Sequence, residues 1–487
     1  MAVKPMSAQR MRHVWKPRNS RHRPTSPQDA AAPASTWRRN EFECLGWVEL
    51  DTQSLRPTGR KRECWQRVHG GEAGFCHVRN RTSGQTFHVM RTTALSLKED
   101  VRFTCHLARA FTDFRVQSDA FRHDPHVAVA LTEHRGIVIA VHGGVLASAY
   151  ASIRQLRAIG CRLPIELWFM DNELSRNHVV LQTLQERFGP VTLRQVFDSR
   201  IEGFFVKIHA LYYSSFTHVL LLDADNFAVK DPTFLFETDA FRDYGAVFWP
   251  DFWHPGNTIF NVHAQSLLWE LLGVEYVGML EQESGQVLVD RQRHVDVLDR
   301  LMFYATAKPR LMVKLQLVWG DKDLYRLAWT KAGKAFFFNG HRLPGSIGVV
   351  QPQRRRFCGM TMAQYDLEGR DILFLHRNTI KLKGDAQHEK RFWRHVQEYV
   401  PHWRHGEDTG DALAEDLLAV VQSFDGRRLF NETSCFGVKR FQEHPLVRMA
   451  RVDHVAELAS MEEIIIAYAA EAFQLMNGAD AEPLPDT

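Results

Sequence analysis

The sequence lacks several features that would assign it to a common class. It has no apolar run of the roughly 18 residues that a membrane-spanning helix needs. It also contains no G-x-G-x-x-G, no G-x-x-x-x-G-K-[ST], no H-E-x-x-H and no G-x-S-x-G motif. Dehydrogenase, P-loop NTPase, zinc protease and α/β-hydrolase functions therefore lose their usual sequence support.

The sequence also has little excess of charge of either sign. The net charge is only +4 over 487 residues, and no recognisable nucleic-acid-binding module accompanies it, so no nucleic-acid partner is expected. Residues 1–40 differ because they are rich in Lys and Arg, contain Asp29 as their single acidic residue, and show almost no apolar periodicity. That composition predicts a disordered basic segment.

Cysteine is rare too, yet Cys44, Cys64, Cys76 and Cys105 account for four of the seven. They lie in a turn-rich stretch, residues 41–128, which predicts a small β module stapled by two disulfides. Free thiols and a zinc site are the alternatives, although no C-x-x-C pair supports zinc. The pairing order is open, since four cysteines allow three connectivities.

From residue 136 onward, short apolar strands alternate with amphipathic helices. Strands are predicted at 137–141, 165–170, 191–196 and 219–222, and helices at 146–160, 179–188 and 205–214. Such alternation predicts an α/β fold, with a mostly parallel Rossmann-type sheet and helices on both faces.

Two carboxylates, Asp223 and Asp225, follow the last of these strands. Because ligands bind at the carboxyl ends of strands in open α/β sheets, and because like charges repel, the pair predicts a site for Mn²⁺ or Mg²⁺. Capping of the next turn is the alternative. His376 follows another apolar strand, residues 372–375, so both strand ends are expected on one sheet edge. Asp225 is predicted as the direct ligand, with Asp223 facing the ribose or a metal-bound water.

Five motifs in order carry a family resemblance: LLLDADN with its following DPTFLFE, WPDFW, E-x-ESGQ, GDKDLYRLAW and LFLHRN. Together they resemble the fungal Golgi α-mannosyltransferases that extend mannose chains on glycoproteins. The resemblance covers about residues 136–383. It implies a retaining GT-A glycosyltransferase of the Golgi lumen that uses GDP-mannose and Mn²⁺ and transfers to a mannoside glycan. That family is anchored in the membrane, so membrane association is expected only through an anchor upstream of this chain.

The resemblance also implies roles for individual residues. A carboxylate facing the anomeric carbon is expected among four candidates, although a front-face mechanism without a covalent intermediate is equally open. Lys207 and Lys381 are expected to contact phosphate. The catalytic candidates are Asp251, Glu283, Asp321 and Asp323, where either aspartate of the last pair could instead cap a helix. The substrate-binding candidates are His142, Gly143, Gly144, Lys207, Trp249, Trp253, Ser284, Gln286, Lys322 and Lys381.

The chain is thus divided into a disordered segment (1–40), the cysteine module (41–128), a glycosyltransferase domain (129–400) and a mostly helical C-terminal extension (401–487). Two other functions remain open. One is a metal-dependent phosphatase or nucleotidyltransferase using Asp223, although Asn226-Phe227 replaces the Gly-Thr that aspartyl phosphatases carry. The other is a non-catalytic glycan-binding protein.

Overall fold

The structure is a computed structural model that describes residues 14–15, 36–38, 40–122, 133–253, 258, 261–340, 342–399, 421–432, 434–440 and 447–478. The strands there are β1 (Val14–Trp15), β2 (Phe42–Leu50), β3 (Pro57–Arg62), β4 (Val68–His69), β5 (Gly74–Asn80), β6 (Thr86–Thr92), β7 (Arg102–Phe103), β8 (Glu133–Ala140), β9 (Ile165–Met170), β10 (Val191–Val196), β11 (Phe216–Asp223), β12 (Asn226–Ala228), β13 (Ala246–Pro250), β14 (Gln282–Asp290), β15 (Phe336–Phe338), β16 (Gly345–Gln351), β17 (Arg356–Tyr365), β18 (Ile372–His376), β19 (His395–Tyr399), β20 (Gln422–Phe424), β21 (Cys435–Gly437) and β22 (Val447–Arg451).

The α-helices of the same residues are α1 (Ala108–Ala120), α2 (Leu146–Ala158), α3 (Val179–Arg187), α4 (Phe205–Tyr213), α5 (Asp239–Tyr244), α6 (Leu268–Leu272), α7 (Val295–Thr306), α8 (Leu311–Lys314), α9 (Leu324–Ala332), α10 (Arg427–Phe430) and α11 (Met461–Met476). None of the described helices is both long and apolar enough to cross a membrane.

A central eight-stranded sheet confirms the predicted mostly parallel α/β architecture. Its order is β1-β15-β13-β14-β11-β8-β9-β10. Strands β11, β8, β9 and β10 are parallel neighbours, as are β13 and β15. Strand β14 runs antiparallel between β11 and β13, which the strand–helix alternation did not predict.

Helices cover both faces of this sheet, as predicted. Strand β11 shows the division, because Val219 and Leu221 enter one apolar core while Leu220 and Leu222 enter the other. Residues of α4, α7 and α9 fill the first core, and residues of α2, α3 and α11 fill the second. The continuous apolar run in β11 thus reflects burial on both sides.

A second sheet, mostly antiparallel, packs beside the first. Its order is β12-β18-β17-β16-β19-β22, and β20 and β21 join it at β17. The described residues after 400 include the helices α10 and α11 of the predicted mostly helical extension and also the strands β20, β21 and β22 of this sheet, which were not predicted. The disulfide Cys358–Cys435 links β17 to β21. Residues 401–420 lie outside the described part of the chain, whereas α11 packs on α2, where Tyr150 donates to Glu471.

The N-terminal cysteine module is a four-stranded sheet, β3-β2-β5-β6, and its predicted disulfides are confirmed. Cys44 pairs with Cys64 and Cys76 pairs with Cys105, which settles the connectivity. The module packs on the central domain, where Glu270 of α6 accepts hydrogen bonds from the backbone of β6.

Disorder over all of residues 1–40 is corrected at two places. Strand β1 pairs with β15 at the edge of the central sheet. Trp37 is buried against Phe42 and Phe87, and its backbone N–H donates to Asp113. Main-chain hydrogen bonds at a sheet edge and one aromatic anchor hold these short pieces although the surrounding composition is polar.

Candidate functional site

The Asp223–Asp225 loop lies where the two sheets meet. Strand β11 ends at Asp223, and β12 starts at Asn226 and pairs with β18 of the second sheet. Asn226 is opposite His376 in that ladder, and the backbone carbonyl of Asp225 accepts from the N–H of Arg377. The loop is therefore fixed from both sides by backbone hydrogen bonds.

This ladder brings His376 to the two carboxylates, as predicted. Its Nε2 lies 3.4 Å from Asp225 Oδ1 and 3.7 Å from Asp223 Oδ2. The expected reason was wrong, because β18 is antiparallel to β12 in the second sheet and is not a parallel strand of the central sheet. Convergence depends on the β12–β18 pairing within the second sheet.

The three side chains fit a divalent cation. One ligand atom from each lies within 4.8 Å of the other two. A hard octahedral cation with ligands at about 2.1 Å places neighbouring ligand atoms about 3 Å apart, so small rotations would complete the set. Each carboxylate directs one oxygen towards His376 and the other to a lysine: Asp223 to Lys207, and Asp225 to Lys381.

The ring of His376 is held from behind. Its Nδ1 lies 3.3 Å from Glu283 Oε1, which also accepts from the N–H of Gly285. A carboxylate behind a metal-binding imidazole fixes its orientation and raises its basicity. Glu283, a predicted catalytic candidate, is thus placed to position His376.

Electrostatics agree with a cation site. Burial lowers the pKa of His376, but Asp225 and Glu283 outweigh it and raise that pKa to about 10. Burial would raise the pKa of Asp225, yet His376 and Lys381 hold it well below its usual range. The site therefore concentrates negative charge that a proton on His376 balances when no metal is bound, and a metal must displace that proton.

Lys207 is bonded to protein groups in this structure, and its phosphate contact stays a prediction. The buried Nζ lies 2.8 Å from Asp223 Oδ1, 2.9 Å from Asp321 Oδ2 and 3.2 Å from Ser284 Oγ. An ammonium group has three donors, so these acceptors saturate it. Lys207 therefore orients Asp223, whereas Lys381, with a side chain 45% exposed, keeps the accessibility that a phosphate contact requires.

A second buried cluster surrounds Lys322. Its Nζ lies 3.2 Å from Asp251, 2.5 Å from Glu281 and 3.0 Å from Asp323. Asp323 also accepts from Arg326 and from the backbone of Gln282. In this structure protein groups saturate Lys322 and enclose Asp323, and their substrate-binding and catalytic roles stay predictions.

Three other candidates are also buried. Trp249 lies fully in the core and donates its indole N–H to a backbone carbonyl. Trp253 packs in a third apolar cluster, and Gln286 accepts from the Asn226 amide beneath the loop. All three pack in the interior or support the loop in this structure, and their substrate contact stays a prediction. His142, Gly143 and Gly144 are exposed at the carboxyl end of β8, so their substrate contact stays a prediction.

Asp321 remains near the loop without facing solvent. It accepts from Lys207 and from the Tyr325 hydroxyl, 2.9 Å away. Burial raises its pKa, although Lys207 opposes that shift.

Gly285 is a contact that the sequence did not single out. A Cβ at this position would lie 2.6 Å from His376 Nδ1 and 3.0 Å from Glu283 Oε1. Gly285→Ala is therefore expected to displace the imidazole and weaken Mn²⁺ binding by about 10–100-fold, the usual cost of disturbing a ligand's outer contacts. Paramagnetic titration of Mn²⁺ measures this. Gly278→Ala is the control, since its nearest atom would be 3.6 Å away. Equal Mn²⁺ affinity in both variants would contradict the expectation.

Asp251 supplies a pH dependence of stability. Burial raises the pKa of Asp251 to about 7. Lys322 acts to lower that pKa, and the nearby carboxylates Glu283 and Glu281 act to raise it. A folded-state pKa above the unfolded value means that stability is fully present below the unfolded pKa, near 3.8, and is lost as pH rises through 7. Between pH 5 and 7, this group should lower the free energy of unfolding by up to about 1.4 kcal/mol per pH unit. Urea denaturation at several pH values measures this free energy. Between pH 5 and 7, it should fall less steeply with pH in Asp251→Asn than in the wild-type protein.

Reasoning from the sequence also missed Asn226 and Glu281. Asn226 donates to the Gly285 carbonyl and the Gln286 amide oxygen, which ties the Asp223–Asp225 loop to β14. Glu281 binds Lys322. Both belong to motifs that carried the resemblance, but local sequence gives no signal for which motif residues face the site.

Comparisons with known proteins agree with the resemblance. Residues 134–267 and 275–366 match a family described as "Mannosyltransferase putative". The chain is 27% identical over 286 residues to the α-1,2-mannosyltransferase MNN21 of Candida albicans, covering 48% of this chain and 43% of that protein. It is 34% identical over 296 residues to the α-1,2-mannosyltransferase MNN5 of Saccharomyces cerevisiae, covering 48% and 49%. The chain spans about half the length of these relatives.

One solved structure with partial similarity is the mannosyltransferase Ktr4p from S. cerevisiae in complex with GDP. The alignment has a TM-score of 0.29 and 9% identity, covering 45% of this chain and 75% of that chain. A score this low assigns neither fold nor ligand.

Proposed function

Because its central region, residues 134–267 and 275–366, belongs to this mannosyltransferase family, we propose that the chain transfers mannose from GDP-mannose to a mannoside on a glycoprotein glycan, with retention of configuration. The observation that carries the proposal is the convergence of Asp223, Asp225 and His376 beside the exposed Lys381. The relatives' activity favours an α-1,2 linkage over α-1,3.

In this proposal, different residues bind the metal, the phosphates and the nucleotide. Asp225, His376 and Asp223 would hold Mn²⁺ or Mg²⁺, which supplies neutralisation of the departing diphosphate. Lys381 releases Asp225 and donates to a phosphate oxygen, while Lys207 keeps Asp223 in place. The exposed His142-Gly143-Gly144 turn contacts the nucleotide.

In this proposal, the carboxylate that faces the anomeric carbon is Asp251 or Asp321. Asp323 is enclosed by Lys322 and Arg326, and Glu283 supports His376. Asp251 and Asp321 remain, each next to a lysine. The alternative is front-face transfer without a covalent intermediate, in which both are electrostatic supports.

The location proposed is the Golgi lumen. Three disulfides are expected of a chain that folds in an oxidising compartment, since cytosolic thiols are normally kept reduced.

Release of GDP from GDP-mannose on addition of methyl α-mannopyranoside tests the proposal. Transfer should require Mn²⁺ or Mg²⁺, stop with a chelator, and give an α-linked product by NMR. UDP-galactose serves as the control donor. Phosphate release from a phosphomonoester would instead support the phosphatase alternative, and mannoside binding without GDP release would support the non-catalytic one.

A further inference from the structure

Two large aromatic side chains that are close in the chain to residues of the candidate site remain exposed. Phe204 is 59% exposed and Trp319 is 57% exposed, although most of the large aromatic side chains that the structure describes are buried. Each is close in sequence to a residue of the site. Phe204 precedes α4, which carries Lys207, and Trp319 lies two residues before Asp321.

The two residues are also neighbours in space. Gly320, with φ +57°, follows Trp319, and a Cβ there would lie 2.7 Å from Phe204 Cδ2 and 3.0 Å from its Cγ. The Phe204 ring therefore lies against the backbone next to Trp319. Backbone hydrogen bonds fix both positions, from Lys207 to the Phe204 carbonyl and from Lys322 to the Trp319 carbonyl.

Ionic connections join this pair to the metal-binding candidates. Lys207 bonds both Asp321 and Asp223, so Phe204 and Trp319 each lie within three residues of a side chain in that network. Two exposed aromatic side chains that lie together near such a network are suited to bind an apolar face of a ligand. They do not suit the donor's phosphates, which need cations, and the nucleotide contact is proposed at the His142-Gly143-Gly144 turn.

We infer that Phe204 and Trp319 form a stacking platform for a pyranose ring of the acceptor glycan. One face of a mannose ring presents C–H bonds with partial positive charge, and an aromatic face carries partial negative charge, so the two attract while hydroxyls stay in water. This inference rests on the proposed mannosyl transfer and adds to it the residues that bind the acceptor.

The test compares Phe204→Ala and Trp319→Ala with Trp65→Ala, a control at a 67% exposed tryptophan of the cysteine module. Each platform variant should raise the KM for methyl α-mannopyranoside or mannobiose about tenfold, as expected for the loss of one stacking contact. The KM for GDP-mannose should stay within about twofold, and Trp319→Phe should restore most acceptor affinity. An unchanged acceptor KM, or an equal rise in donor KM, overturns the inference.

Calorimetric titration of mannobiose, with GDP and Mn²⁺ present, separates this inference from the proposed function because it needs no turnover. Loss of saccharide affinity in Trp319→Ala but not in Trp65→Ala supports the platform even if the wild-type protein transfers no mannose. Unchanged saccharide affinity rejects the platform even if transfer is normal. A platform variant could lose transfer to an intact glycoprotein while its mannobiose affinity is unchanged. That result also overturns the inference, because the two aromatic residues would then bind the protein portion of the acceptor.

Discussion

Replacing Asp225 by Asn, or His376 by Ala, is expected to lower Mn²⁺-dependent mannosyl transfer by at least about a hundredfold, because a bound cation contributes several kcal/mol to stabilising a departing diphosphate. The geometric requirement for a shared ion is met, since Asp225 Oδ1 and His376 Nε2 are 3.4 Å apart. Transfer kinetics and Mn²⁺ titration of the same preparations measure the effect.

Thermal unfolding gives an independent readout. Mn²⁺ should raise the thermal midpoint of the wild-type protein, because it binds the folded state, and should leave that of Asp225→Asn unchanged. Without metal, Asp225→Asn should unfold at a lower temperature than the wild-type protein, since Asp225 is buried and bonds Lys381. Full activity, or a wild-type-like Mn²⁺ response, would reject the site.

Of the variants proposed here, Lys322→Met should lower the free energy of unfolding most. Burial would lower the pKa of Lys322, yet Asp323, Glu281 and Asp251 outweigh it and hold that pKa well above its usual range. Removing the ammonium leaves three buried carboxylates without their shared cation. Loss of one partner from a buried charge network costs about 3–5 kcal/mol. Urea denaturation measures this as a lower midpoint.

Lys390→Met is the matched control for this variant. Lys390 pairs with Glu432 but is 53% exposed, so its loss should cost less than about 1 kcal/mol. Adding Glu281→Gln to Lys322→Met should recover part of the loss, because one uncompensated charge is removed. A Lys322→Met protein as stable as the control would show that the cluster is not a structural charge network.

Local patterns were enough to predict the centre of the fold. The continuous apolar run of β11 and the alternation of strands with helices follow from side-chain periodicity, which is a property of neighbouring residues. The turn-rich spacing of the first four cysteines likewise indicated a disulfide-linked module. The apolar run before Asp223 likewise predicted that this carboxylate lies at the end of a buried strand, as it does in the structure.

Pairing between distant segments was not predictable in this way. The second sheet joins β12 to β18 and recruits β20, β21 and β22, and its strands differ in hydrogen-bonding partners rather than in local pattern. It brought His376 to Asp225 by an antiparallel ladder, although the sequence suggested a shared parallel edge.

The sequence by itself determined which residues have the chemistry of a cation and sugar-nucleotide site: the carboxylates, His376 and the lysines of the motifs. Only the tertiary structure decided which of them are accessible. Lys207, Lys322 and Asp323 look alike in sequence to ligand-binding groups, but burial makes an unpaired charge costly, so each is neutralised by partners within the protein. Lys381 lies at the surface, where solvation stabilises its charge, and this leaves it available to a ligand.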